Sequence, residues 1–179
     1  VDMFFASSFQ GAASGLAYGN FLIQAPLGIL SNSLILPLLT KFSKLKAEKK
    51  YAKLGKVLTI GIEYCFLTTI FLTAFFITFN NQIVQLAFQR GAFDLEAVKD
   101  VRKILITYSV GIPFYLYRDL LVRTYYSIEK TKLPFKLSLL GILLNIFFDW
   151  ILIRVLAPYD LEIEGIILSS AAVNFIICC

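Results

Sequence analysis

The chain is 179 residues long, 58% hydrophobic, 15% aromatic and only 16% charged. Soluble domains of this size are about half apolar and about a quarter charged, so a disordered chain, a basic nucleic-acid-binding domain and a soluble globule are all poor fits. The net charge of +5 arises from 17 Lys+Arg against 12 Asp+Glu, and His is absent. That absence removes His-based triads, His metal sites and His proton relays. Cys65, Cys178 and Cys179 have neither zinc nor disulfide-framework spacing. No catalytic residue, metal site, cofactor or nucleic-acid partner is expected. A start at Val1 and an end inside an apolar run lead us to expect a piece of a longer polypeptide.

Charges are missing from long stretches. None occurs between Asp2 and Lys41, only Glu63 between Lys56 and Arg90, none between Lys103 and Arg118, only Asp149 between Lys136 and Arg154, and none after Glu164. About 20 helical residues cross a hydrocarbon core about 30 Å thick. The chain therefore predicts complete spans over 13–40, 57–79, 103–127 and 134–156, the tail of a preceding span over 1–9 and the front of a following one over 165–179. Runs such as FLTTIFLTAFFITF are too long for barrel strands and do not alternate. Backbone groups in lipid must be satisfied within the element, which leaves helices. The expected fold class is all-α, a polytopic membrane helix bundle of four complete and two partial transmembrane helices in one domain.

In chain order, the first span opens on small residues, among them Gly15-x-x-x-Gly19, a spacing that allows close helix approach. Asn20 and Gln24, at i and i+4, form one polar stripe, and Pro26 and Gly28 mark a bend. The connection 40–56 carries Lys41, Lys44, Lys46, Lys49, Lys50, Lys53 and Lys56 against Glu48 alone. After the second span, Asn80-Asn81 reads as an end, Gln82 to Phe88 as an interfacial segment, Arg90-Gly91 as a turn and Asp94 as a helix start. Pro113 lies inside the third span. The connection 118–136 is basic, whereas 80–103 is mixed and 154–164 acidic. This alternation puts the first and third connections on the cytoplasmic side by the positive-inside rule. Pro134 opens the fourth span, and Trp150 and Tyr159 fall at its outer boundary as an aromatic belt would.

Ionisable side chains inside a span cost roughly 2.5–3.5 kcal/mol each on insertion scales and face a partner or an aqueous cavity. Glu63, Asp119 and Asp149 are the acidic examples and are the candidates for coupling to an ion gradient or to the membrane potential. Asp119 and Arg123 have i, i+4 spacing and can neutralise one another. Arg118 projects about 100° from that pair and needs an anion. Asn145 lies one turn before Asp149, and Arg154, one turn beyond, can pair with Asp149 or snorkel to the interface. Arg118, Arg123, Asn20 and Gln24 are the candidate substrate contacts, and Pro26, Gly28 and Pro113 the candidate gating positions.

Several strings in this order resemble the MurJ (MviN) family of lipid II flippases, in its cyanobacterial or plastid-lineage branch. They are Asp2 to Ser7 (DMFFAS), Tyr18-Gly19-Asn20 leading to Pro26-Leu27-Gly28, Phe88 to Asp94 (FQRGAFD), and Tyr126 through Thr131 to Lys136 (TKLPFK). The resemblance implies a fourteen-helix transporter of the superfamily that also holds multidrug extruders and polysaccharide-lipid exporters. This chain would supply most of its C-terminal lobe, with an N-terminal lobe as partner. It also implies a lipid-linked anionic substrate, an undecaprenyl-pyrophosphate peptidoglycan precursor carried across the bacterial inner membrane by alternating access for cell-wall synthesis. Many members have an Asp-Arg pair where this chain has Asn20 and Phe21, and Lys130 stands where an aspartate is usual. A related exporter of another lipid-linked or drug substrate, and a non-transporting membrane scaffold, are the alternatives.

Overall fold

The computed structural model describes residues 12–88, 95–159 and 161–178. The expected partial span 1–9, the turn at Arg90 and the helix start at Asp94 lie outside the described residues. Every element within them is helical: α1 (Ala12–Leu30), a π-turn (Ser31–Ile35), α2 (Leu36–Ala47), α3 (Tyr51–Phe88), α4 (Leu95–Ser127), α5 (Lys132–Leu156), a 3-10 turn (Ala157–Tyr159) and α6 (Glu162–Cys178). Three stretches are long and apolar enough to cross a membrane: Ser14–Ala47, Tyr51–Phe88 and Lys132–Leu156. The fourth expected crossing lies in α4, whose 33 residues have the length but also carry Arg118, Asp119 and Arg123. It can carry them because it is enclosed.

The packing explains that. α4 lies against α1, α2, α3 and α6, while α5 packs chiefly on α6. Val98, Val101, Leu105, Ile112, Leu116 and Leu120 are buried along α4 at intervals of three, four and seven residues, the spacing of one helical face. They meet Ile23 and Leu27 of α1, Ile35, Phe42 of α2, and Cys65, Phe76 and Val84 of α3. A second cluster joins Ile104 to Leu16, Ile166 and Ile167. The outward faces are the greasy ones: Leu67, Ile70 and Phe71 of α3 and Phe135 and Leu143 of α5 are exposed, as lipid contact requires.

Gly15 and Gly19 do close the α1–α4 approach. A Cβ at Gly15 would lie 3.0 Å from Ile104 Cδ1, and one at Gly19 would lie 2.6 Å from Ile104 Cγ2. By contrast, nothing stands within 4 Å of a Cβ built at Gly28.

Helical assignment runs unbroken through Pro26 and Pro113. Two departures from regular helix lie elsewhere. Pro37 has no N–H for the Ser33 carbonyl, and its ring crowds that oxygen; the chain widens into the π-turn Ser31–Ile35 just before it. Here the Ser31 hydroxyl donates to Asp119 Oδ2 at 2.6 Å, and Arg123 Nε donates to Asp119 Oδ1 at 2.8 Å. The second departure is at Phe79 (φ −102, ψ 15) in α3. The Asn80 amide donates to the Ile77 carbonyl, and its Oδ1 accepts from Arg102 Nε at 3.0 Å. The expected end at Asn80-Asn81 is thus a kink, beyond which the interfacial segment continues as helix to Phe88.

The turns after α2 and α4 have one shape. Lys50 N–H donates to Leu45 O and Lys49 N–H to Lys46 O; Lys130 N–H donates to Tyr125 O and Glu129 N–H to Tyr126 O. Both are Schellman closures, with Lys49 (φ 55) and Glu129 (φ 61) in the left-handed position. The turns sit side by side, since Lys46 Nζ reaches Glu129 Oε2 at 2.7 Å. The two basic connections therefore share one end of the bundle. Lys46, by hydrogen bond and charge, holds the Glu129 carboxyl below the usual carboxylate range. Its contribution is present at neutral pH and is lost as pH falls through that lowered value.

Two outcomes test this packing in thermal unfolding of the detergent-solubilised protein. Gly19→Val destabilises by about 1–3 kcal/mol through overpacking on Ile104, whereas Gly28→Ala is stabilising by up to about 1 kcal/mol. Ser31→Ala costs about 0.6 kcal/mol, the average for an interhelical hydrogen bond in a membrane. Asp119→Asn also strips Arg123 of its counter-charge and costs more, about 1–3 kcal/mol; equal losses would contradict the shared contact.

Candidate functional site

A cavity of about 290 Å³ opens between α1, α4 and α6. The α1 stripe faces it with Asn20 and Gln24, α4 contributes Tyr108, Tyr115 and Arg118, and α6 contributes Ser170 and Asn174. The remaining wall is apolar, including Ile23, Leu27 and Ile112. Arg118 Nη1 donates to Asn174 Oδ1 at 3.1 Å. The same arginine borders a pocket of about 190 Å³ with Ser138, Asn145, Ser170 and Asn174, and a groove of about 310 Å³ between α4 and α5. It thus stands where three hollows meet. A guanidinium has five N–H donors in a planar fork, and Asn174 takes one of them, so Arg118 is arranged to receive an anion on the remaining edges.

Behind this cavity runs a polar seam between α5 and α6. Asp149 is fully buried and accepts from the Ser169 hydroxyl, which also lies 3.1 Å from Asn145 Oδ1. Asn145 Nδ2 donates to Ser170 Oγ at 3.2 Å, and Ser170 and Asn174 both border the cavity of Arg118. The buried carboxylate is thereby linked through Ser169 and Asn145 to Ser170 on the wall of the cavity, where Asn174 holds the Arg118 guanidinium. Arg154 does not close on Asp149; its guanidinium lies over the Trp150 ring at 3.9 Å, the interfacial alternative of the two expected.

Not every candidate is brought together. Asn20, Gln24 and Arg118 share the cavity. Arg123 is held by Asp119 and does not line that cavity, and Asp119 is in turn tied to Ser31. Glu63 is exposed on α3, away from the seam. Pro26 borders an apolar groove with Thr68, Phe71 and Leu72 of α3, and Pro113 does not line the cavity, although its neighbour Ile112 does. Phe21, which follows Asn20 on α1, is 69% exposed. Sequence reasoning missed Ser169, Ser170 and Asn174. The signal was there: Ser170 and Asn174 are an i, i+4 polar pair in an apolar helix, the same pattern that singled out Asn20 and Gln24.

The family model "Lipid II flippase MurJ" matches residues 1–178. The chain is 38% identical over 174 residues to a protein of Synechocystis sp. named "Probable lipid II flippase MurJ", covering 97% of this chain and 32% of that protein. It is 25% identical over 145 residues to a protein of Rickettsia prowazekii of the same name, with 81% and 29% covered. A solved structure titled "Lipid II flippase MurJ, inward closed conformation" superposes with a TM-score of 0.80 at 26% identity, over 99% of this chain and 36% of its own. The chain therefore spans about a third of the length of the relatives it matches. Its apolar helices make it an integral membrane protein, and the chain belongs to the lipid II flippase MurJ family.

Proposed function

We propose that this chain is the greater part of one lobe of a transporter that moves a polyprenyl-pyrophosphate-linked peptidoglycan precursor across the bacterial cytoplasmic membrane. The reading is of a carrier that translocates its substrate without changing it. Family membership over residues 1–178 supports the substrate class. The observation that carries the mechanism is Arg118, a membrane-embedded guanidinium in a cavity that also presents Asn20 and Gln24. A pyrophosphate with sugars and peptide needs a hydrated, cation-bearing hollow, while the polyprenyl tail stays in hydrocarbon. Alternating access takes two lobes moving about a shared site, so the work belongs to the whole transporter, including an N-terminal lobe.

Asp149 is the coupling group in this scheme. It is buried, hydrogen-bonded by Ser169 and linked through Asn145 to Ser170 on the wall of the arginine cavity. A charge change there acts on the polar side chains that reach the wall of the cavity at Ser170, beside the Asn174 that holds Arg118. Any charge that crosses the membrane gains or loses about 2.3 kcal/mol per 100 mV, which is energy enough to bias the two access states. A second reading rests on the resemblance: Asn20 and the exposed Phe21 stand where many members of the family have an Asp-Arg pair. A related exporter of a different lipid-linked substrate would share the scaffold and lack that cation.

Complementation separates the two. A full-length gene carrying this segment is expressed in cells depleted of their own lipid II flippase; rescue supports the precursor, and failure with normal membrane insertion favours the other substrate. In the rescuing background, Arg118→Glu abolishes growth while Arg118→Lys retains part of it, and unchanged growth of Arg118→Glu overturns the assignment. Asp149→Asn leaves the protein folded, by thermal unfolding in detergent, but lowers transport and flattens its dependence on membrane potential in reconstituted vesicles. An unchanged potential dependence would remove Asp149 from the coupling role.

A further inference from the structure

A second hollow, sharing no residue with the arginine cavity, lies between the Ser31–Lys41 stretch and α3. It is a groove of about 230 Å³ walled by Leu34, Leu38, Val57, Ile60 and Tyr64, with Lys41 on its rim. Gly61 forms part of its floor: a Cβ there would stand 2.9 Å from Leu38 Cδ1, so the Leu38 side chain lies directly on the bare glycine backbone. From Leu34 to Lys41 the groove runs about 10 Å along the helix axis. Both walls belong to the membrane-crossing stretches Ser14–Ala47 and Tyr51–Phe88. Its lining offers almost no polar partners, so water does not fill it well, and a hydrocarbon chain does.

Its mouth is cationic. Lys41 stands on one wall, Lys53 lies one turn before Val57 on the same face of α3, and Lys56 directly precedes Val57. Lys46 and Lys50 in the same region are taken by Glu129 and Glu48, each at 2.7 Å. Among the described residues, Lys41, Lys53 and Lys56 form no ion pair. Ammonium groups on flexible stems reach outward to a headgroup while their methylenes stay on apolar surface. Lys41 thus lines the groove, and Lys53 and Lys56 follow its end on α3, three cations outside any ion pair.

We propose that this groove is a binding site for an acidic glycerophospholipid, one acyl chain lying between Leu34 and Ile60 and the phosphate held at Lys41, Lys53 and Lys56. The occupant is set by charge complementarity: a zwitterionic lipid fills the same groove but gains little from the lysines. The site is independent of which substrate the transporter moves. It gives the transporter a preference for membranes rich in anionic lipid on the side its lysine turns face.

The intact transporter carrying this segment is purified in detergent and titrated with phosphatidylglycerol or phosphatidylcholine, with bound lipid counted by native mass spectrometry. The wild type retains phosphatidylglycerol in preference, and Lys41→Gln, Lys53→Gln and Lys56→Gln each reduce that preference roughly fivefold. The three Lys→Arg variants keep it, and Ile60→Trp, which fills the groove, removes the bound lipid without touching a charge. Size-exclusion behaviour and far-ultraviolet circular dichroism check that each variant is folded. Equal retention of the two lipids overturns the proposal. So does a phosphatidylglycerol preference that survives Ile60→Trp, because the lysines would then act as a diffuse field or the remainder of the transporter would cover the groove.

Discussion

A chain immersed in hydrocarbon has no water to satisfy its polar groups, and this constraint governs almost every polar contact in the bundle. Hydroxyls turn back onto their own helix: Thr69 to the Cys65 carbonyl, Ser109 to Leu105, Thr124 to Leu120. Where a side chain does reach across, the contact ties two helices together, as Thr73 does in donating to the Ser109 carbonyl of α4 at 2.9 Å. Among the charged groups on the helices, Asp119 is paired with Arg123, Asp149 is held by Ser169, and Arg118 is set against a hollow. Function in such a bundle lies in the exceptions, because every polar group left over needs a partner that comes and goes.

α4 is where the exceptions gather. It is in contact with all five other helices, and one of its faces is the apolar spine of the core. Arg118, Asp119 and Arg123 are half-buried beside that spine, where charge finds partners within the bundle. Arg118 and Asp119 are adjacent in sequence yet serve opposite ends: one opens into the cavity, while the other closes the π-turn to α4. The 100° step between consecutive helical residues is enough to divide a structural ion pair from an available cation.

Much of this was legible from residue order. Charge-free runs marked the helices, and the lysine-rich connections correctly placed two turns at one end. The i, i+4 pairs Asn20/Gln24 and Asp119/Arg123 showed a polar stripe and a neutral pair. What escaped notice depends on partners distant along the chain. Nothing local tells that Asp119 will meet Ser31, 88 residues away, or that Asn174 will hold Arg118, 56 residues away. Prolines differ in their local effect. Pro26 and Pro113 stand within continuous helix, whereas the widened turn precedes Pro37, near the end of an apolar run. Asn80 looked like a terminator but is a kink, because its amide satisfies a carbonyl that the bent backbone leaves over.

The π-turn at Ser31–Ile35 has a geometric consequence of its own. A π-turn accommodates one residue more than α-helix would over the same rise, which rotates everything after it by about 100° about the axis. α1 can thus aim Asn20 and Gln24 at the interior while α2, continuing the same rod, presents Lys41 at the rim of an outer groove. Excising a single residue between Ser31 and Ile35 would leave composition and hydropathy nearly untouched, yet swing the lysine-bearing end onto a different side of the bundle. The rod acts as a swivel joint set at one angle, with its phase recorded in one surplus amino acid.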